Sequence, residues 1–222
     1  MNNGSDLKLI TDEYVASIDA SGELPLRTRD LLTKKIGDLL DGDLDIFNAY
    51  TVLLGIKCAE RVWPIWERMF PDDKEPIELA RRAVHSIITR SPGETPTVRE
   101  VGLLHSNFDN KFPLGEKFFT AIYAGLACWA VARDVIAPFV DMDFEDDPGS
   151  DESESEIDID HDDWEAGYYA SIAVAGGATW EDTGDPEKRR QFWIWYLTSA
   201  VPGAFYEVIE RSSRTHRRRG IR

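Results

Sequence analysis

The chain has 222 residues, 42% hydrophobic and 30% charged, a balance that suits a soluble globular protein with a sizeable core in one large domain or two small ones. The opening MNNGSDLKL carries no basic stretch ahead of an apolar run, and the uncharged stretches at 118–132 and 191–206 are 15 and 16 residues long where a bilayer span needs about 20, so no signal or membrane helix is expected and a cytoplasmic location is. The formal net charge of −16 is local, because residues 141–163 hold 13 acidic side chains and no Lys or Arg; elsewhere 28 carboxylates face 25 Lys and Arg, which argues against nucleic acid as a ligand of the whole chain.

Residues 1–22 are polar and read as irregular, with at most one helical turn near 12–18. From 25 to 40, Leu31, Leu32, Ile36, Leu39 and Leu40 recur at helical spacing until DGD ends the pattern. Residues 44–70 form the longest helical pattern, with Leu44, Phe47, Leu54, Cys58, Val62, Ile65 and Met69 on one stripe. Pro64 falls in the polar arc of that helix beside Lys57, Glu60, Arg61, Glu67 and Arg68. A mid-helix proline removes one backbone hydrogen bond, and the freed carbonyl is solvated if the proline faces water. Pro64 is therefore expected to be exposed on a bent helix, with Trp63 and Trp66 turned inward.

Phe70 ends that helix before Pro71, and Asp73 is placed to cap a next helix with Pro76 in its first turn, which runs to the SPGETP loop near Pro92. A shorter helix is expected over 97–110. Residues 114–137 form a nearly uncharged helix in which Ala121, Gly125, Cys128 and Ala132 make a row of small residues, so that a neighbour can approach closely and the helix belongs at the centre. YAGLA at 123–127 and YASIA at 169–173 suggest two small-faced helices packed together.

The acidic run 141–163 is a low-complexity linker too charged to pack, and residues 145–160 are expected to be poorly ordered in the isolated chain. Helical pattern resumes at 164–179. Asp185 and Pro186 then open a helix bearing FWIWYL, which Pro202 ends or bends, and residues 204–210 add a last turn or two. The basic tail 211–222 is expected to be mobile. No segment alternates with the period of strands. The fold expected is all-α, a single domain of seven to nine helices over 23–210 with the acidic insert inside it.

No catalytic constellation emerges. Cys58 and Cys128 sit in apolar helical patterns as core thiols. His85, His105, His161 and His216 are scattered, and His105 with Asp109 makes a single i, i+4 pair that reads as a surface contact. Asp141, Asp143, Glu145 and Glu152 approximate calcium-loop spacing, but Asp146 occupies the glycine position and Pro148 lies within the loop. Phosphate-binding and nucleophile-elbow motifs are lacking. Trp63, Trp66, Trp193 and Trp195 could line a pocket, though in a helical protein they are more often core. No metal, cofactor or catalytic residue is assigned.

VWPIWERMFPDDKEP, the AIYAGLACWAVARD helix and RRQFWIWYLTSAVPGAFY together resemble the predicted all-α immunity proteins of bacterial polymorphic toxin systems. The resemblance implies a non-enzymatic role, binding and neutralising a toxin made by the same cell, and Trp63, Pro64 and Trp66 as fold determinants. The expected partner is a basic toxin protein, drawn to the acidic run through Glu145, Asp146, Asp147, Asp151, Glu152, Glu154, Glu156, Asp158 and Asp160. Two other readings stay open: a helical small-molecule-binding or enzymatic domain built on the aromatic cluster, and an acidic nucleic-acid mimic that blocks a nuclease.

Overall fold

A computed structural model describes residues 3–136, 165–179 and 184–219, and among them every regular element is helical. The helices are α1 (Asn3–Val15), α2 (Leu26–Leu39), α3 (Leu44–Met69), α4 (Glu75–Thr89), α5 (Val98–Asp109), α6 (Phe119–Ile136), α7 (Ala166–Ala175), α8 (Pro186–Trp195) and α9 (Val201–Arg219). Local signals set several starts. Asp43 accepts from the Ile46 N–H at 3.1 Å, Thr97 and Glu100 close a reciprocal capping box, and Asp185 accepts from Glu187 and Lys188 with Pro186 in the first turn. The cap of α4 falls one residue later than expected, at Lys74, and Asp73 instead meets the Glu75 N–H at 3.3 Å.

Two helices form the centre. α6 packs against α3, α4, α5 and α7, while α3 also touches α7 and α9. α3 and α9 run antiparallel: Arg61 stacks over Trp195 at 4.2 Å, Lys57 pairs with Glu207 at 3.0 Å, and Ile46 shares a cavity wall with Val208 and Ser212. Being enclosed on several sides, α3 buries Tyr50, Val52, Leu53, Ile56, Ala59 and Trp66 as well as Cys58 and Val62. Its ends do not follow the expected stripe, since Leu44 is 74% exposed and Met69 39% exposed where no partner reaches them.

Pro64 is exposed, as its position in the polar arc predicts, and α3 continues through it. Trp66 is fully buried, whereas Trp63 is half-buried and packs on Trp66 at 6.3 Å between ring centroids. One member of the small row in α6, Gly125, makes room for side chains. A Cβ added to Gly125 would lie 2.6 Å from Phe108 and 2.7 Å from Trp66, so the missing side chain makes room for two aromatic rings rather than for a neighbouring backbone. Glu116–Ile136 is long and apolar enough to cross a membrane, but 72% of an apolar 18-residue stretch within it is buried inside the fold. The pairing of the two small-faced helices holds, with α6 packed on α7.

Both termini correct the sequence reading. Residues 3–15 form α1 rather than an irregular segment, because Leu7, Thr11 and Tyr14, spaced four and three apart, make a buried face too short and polar to show as an apolar pattern. At the other end Pro202 does not stop the chain. The turn Tyr196–Ala200 widens to a π-helix immediately before it, and the rod α8–π–α9 continues to Arg219 instead of ending near residue 210. A proline lacks the N–H of the regular ladder, and a π-turn accommodates that loss within one continuous helix.

Candidate functional site

The nine carboxylates expected to meet a partner, Glu145, Asp146, Asp147, Asp151, Glu152, Glu154, Glu156, Asp158 and Asp160, lie outside the described residues, as do the expected calcium-like spacing and the order of residues 145–160. The structure does describe where that segment leaves and re-enters the fold. It departs from the end of α6 at Ile136 and returns at Glu165, which precedes α7. At this end Gly55 of α3 faces Val131 of α6 and Ala166 of α7, its built Cβ 3.1 and 3.5 Å from their carbons. The described residues on either side of the acidic segment therefore belong to packed helices.

This end of the fold is charged on the inside as well. Glu165 pairs with Arg29 at 2.5 Å, and the Arg29 guanidinium is buried 4.8 Å from the Tyr168 ring centre and 5.5 Å from that of Trp193. Arg29 Nε donates to the Leu24 carbonyl at 3.2 Å. Burial alone would lower the pKa of this guanidinium, but the Glu165 charge and hydrogen bond outweigh burial and raise it. Next to it stand Glu23 and Arg189, both buried, 3.5 Å apart between Oε2 and Nε. Arg189 donates Nη1 to the Ser21 carbonyl at 3.1 Å and Nη2 to the Gly177 carbonyl at 2.6 Å. Glu23 accepts from the Leu24 N–H at 3.1 Å, and burial pushes its pKa up to about 7 against the pull of Arg29 and Arg189. Two cations and two carboxylates thus tie α2, α7 and α8 together.

Sequence reasoning missed this network. A signal existed: Arg29 is in register with buried Leu32 and Ile36, and Arg189 with buried Phe192, Trp193 and Tyr196. An arginine on an inward stripe requires a buried anion, because desolvating an unpaired charge is far costlier than desolvating a pair.

The other candidates resolve as structure. Burial pushes the Cys58 and Cys128 thiols up, away from nucleophilic use. His105 Nδ1 lies 3.5 Å from Asp109 and its ring 4.6 Å from Trp129, and no group of three metal-ligating side chains occurs among the described residues. The four candidate tryptophans fall in two clusters, Trp63 and Trp66 with Phe70 and Phe108, and Trp193 and Trp195 with Phe192 and Tyr196. Two cavities lie away from them, with no tryptophan in their walls: one of about 620 Å³ between the start of α3, the end of α4 and the middle of α9, and one of about 370 Å³ between α2 and the start of α3.

No curated protein matches the chain. A family model, Immunity protein Imm5, matches residues 11–203, from the second half of α1 through the first turn of α9, and the chain belongs to that family of immunity proteins.

Proposed function

We propose that this protein acts in the cytoplasm as a non-enzymatic immunity factor that neutralises a cognate toxin by binding it directly, and that the acidic segment recruits a basic toxin surface. The observation that carries the reading is the localisation of charge. Thirteen carboxylates without a cation stand in residues 141–163, while the rest of the chain is almost balanced. Such a density costs too much hydration to bury against an ordinary core, but a basic partner compensates it. Glu145, Asp146, Asp147, Asp151, Glu152, Glu154, Glu156, Asp158 and Asp160 are the groups proposed to meet that partner. Their contribution falls mainly on the association rate, and it weakens as salt shortens the Debye length to about 8–10 Å.

The test needs a candidate toxin domain from the same cell. The intact protein should co-purify with it and protect cells that express it. A variant with residues 145–160 replaced by a Gly-Ser bridge should associate more slowly at low salt and lose most of its salt dependence. Equal rates and equal salt dependence would reduce the segment to a spacer, and failure of the intact protein to bind would remove the direct-binding mechanism altogether.

A further inference from the structure

The connection between α1 and α2, residues 18–24, lies across the start of α8. Ile18 and Leu24 anchor it in the core, and α8 grips its backbone. Arg190 reaches the carbonyls of Ile18 at 3.5 Å and Asp19 at 2.5 Å, and Arg189 reaches that of Ser21. At Gly22, φ +80°, a Cβ would come within 2.0 Å of the Pro186 carbonyl oxygen, so this residue admits no side chain while the segment is docked. Glu23 follows, with its carboxyl buried.

The groups facing that carboxyl come from every neighbouring element. Arg29 belongs to α2, Arg189 and Trp193 to α8, Tyr168 and the preceding Glu165 to α7, and Asp19, which accepts the Glu23 N–H at 3.0 Å, to the segment itself. The cations are largely committed elsewhere. Arg29 directs Nη1 to Glu165 and Nε to the Leu24 carbonyl, and both Arg189 terminal nitrogens are taken by backbone carbonyls. Glu23 Oε2 and Arg189 Nε close no hydrogen bond at their 3.5 Å separation, and the Trp193 indole N–H favours the carboxylate from a geometry short of a full bond. A carboxylate placed here loses its water and gains one full hydrogen bond, from the Leu24 N–H to Oε1 at 3.1 Å, while Oε2 gains none.

We propose that residues 18–24 form a strap whose docking on α8 is controlled by the charge of Glu23: the neutral carboxyl keeps the strap seated, and ionisation loosens it and uncovers Arg189 and Trp193. The sign follows from proton linkage. Burial raises the docked carboxyl from 4.5 to about 7, so the docked form binds the proton more tightly than the released one. Raising the pH between those values favours release by about tenfold per unit, and the effect levels off above the upper one.

Hydrogen exchange on the full-length chain between pH 5 and 8.5, corrected for intrinsic rates, tests this through peptides covering residues 16–26, with α6 peptides as the internal reference. The expected result is protection that falls about tenfold per unit from pH 5 to 7 and then stays level. Glu23→Gln, a mimic of the neutral carboxyl, should hold the strap protected at every pH. An ordinary ion pair between Glu23 and Arg189 gives a different pattern: level protection across this range in the parent chain, because the carboxyl is ionised in both forms above about 4.5, and weak protection throughout in Glu23→Gln. A flat or rising profile in the parent chain would overturn the proposal. The parent series alone decides the matter if the variant does not fold.

Discussion

Trp66 and Trp193 are both fully buried, each at the heart of an aromatic cluster, yet their surroundings are opposites. Around Trp66 the neighbours are Trp63, Phe70 and Phe108, with Gly125 leaving space for the ring, and the indole N–H donates to the Asp73 carbonyl at 2.8 Å. Around Trp193 stand Arg29, Glu23 and Arg189, and its indole N–H closes no full hydrogen bond. One half of the molecule is held by shape, the other by a balance of buried charge. The first has a single tightly packed arrangement. The second can change its energy by gaining or losing one proton.

The largest expected effect tests the shape-held half. Trp66→Ala should cost on the order of 3–5 kcal/mol in denaturant unfolding, since it opens a large cavity and orphans the Asp73 carbonyl. If stability is unchanged while toxin binding is lost, the residue is a contact surface and the contrast drawn here is wrong. Next, Arg189→Met should cost about 3 kcal/mol, because the Ser21 and Gly177 carbonyls lose their donor, at about 1–3 kcal/mol for each buried group left unsatisfied. A cost near zero would mean that the charges around Trp193 contribute no more than an apolar filling.

Gly125→Ala ranks third. Its Cβ meets two rings at 2.6 and 2.7 Å, and overpacking of this kind should cost about 1–3 kcal/mol, visible as a lowered Tm. Thr97→Ala, which removes the cap of α5, should cost about 1 kcal/mol.

The two halves should also answer pH in opposite directions. The Thr97 backbone N–H, and then Arg82, lower Glu100 at the start of α5 to about 2, so its stabilisation is complete above its ordinary value of 4.5 and is lost as pH falls toward 2. Glu23 is raised, so its stabilisation is complete below 4.5 and is lost as pH rises toward 7. Protection measured peptide by peptide should therefore weaken at α5 in acid and at the strap near neutrality. A common slope in both regions would erase the distinction.

Much of the Trp66 half was legible in the sequence. Pro64 in the polar arc, the breaks at Pro71 and Pro92, the Thr97 start and the small residues of α6 all pointed to the helices observed. The Trp193 half was not. Glu23, Arg29, Glu165 and Arg189 are separated by up to 166 positions and read singly as surface charges. α1 was missed for a related reason: its buried face is made of only a few residues, whose value depends on α2 and the π-turn they pack against. The helical extension beyond Pro202 depends on a π-turn that no residue type announces.

By itself, then, the sequence determined that the chain is all-helical, where most of its helices begin and end, and that its negative charge is concentrated in one segment between α6 and α7. Those properties follow from caps, prolines, apolar periodicity and composition, which act within a few residues of one another. Only the tertiary structure decided which charges are buried, which tryptophan sits among arginines, and that both polar ends of the chain are helical. Those outcomes turn on desolvation and on pairing between groups brought together across the whole chain, and no local pattern records either.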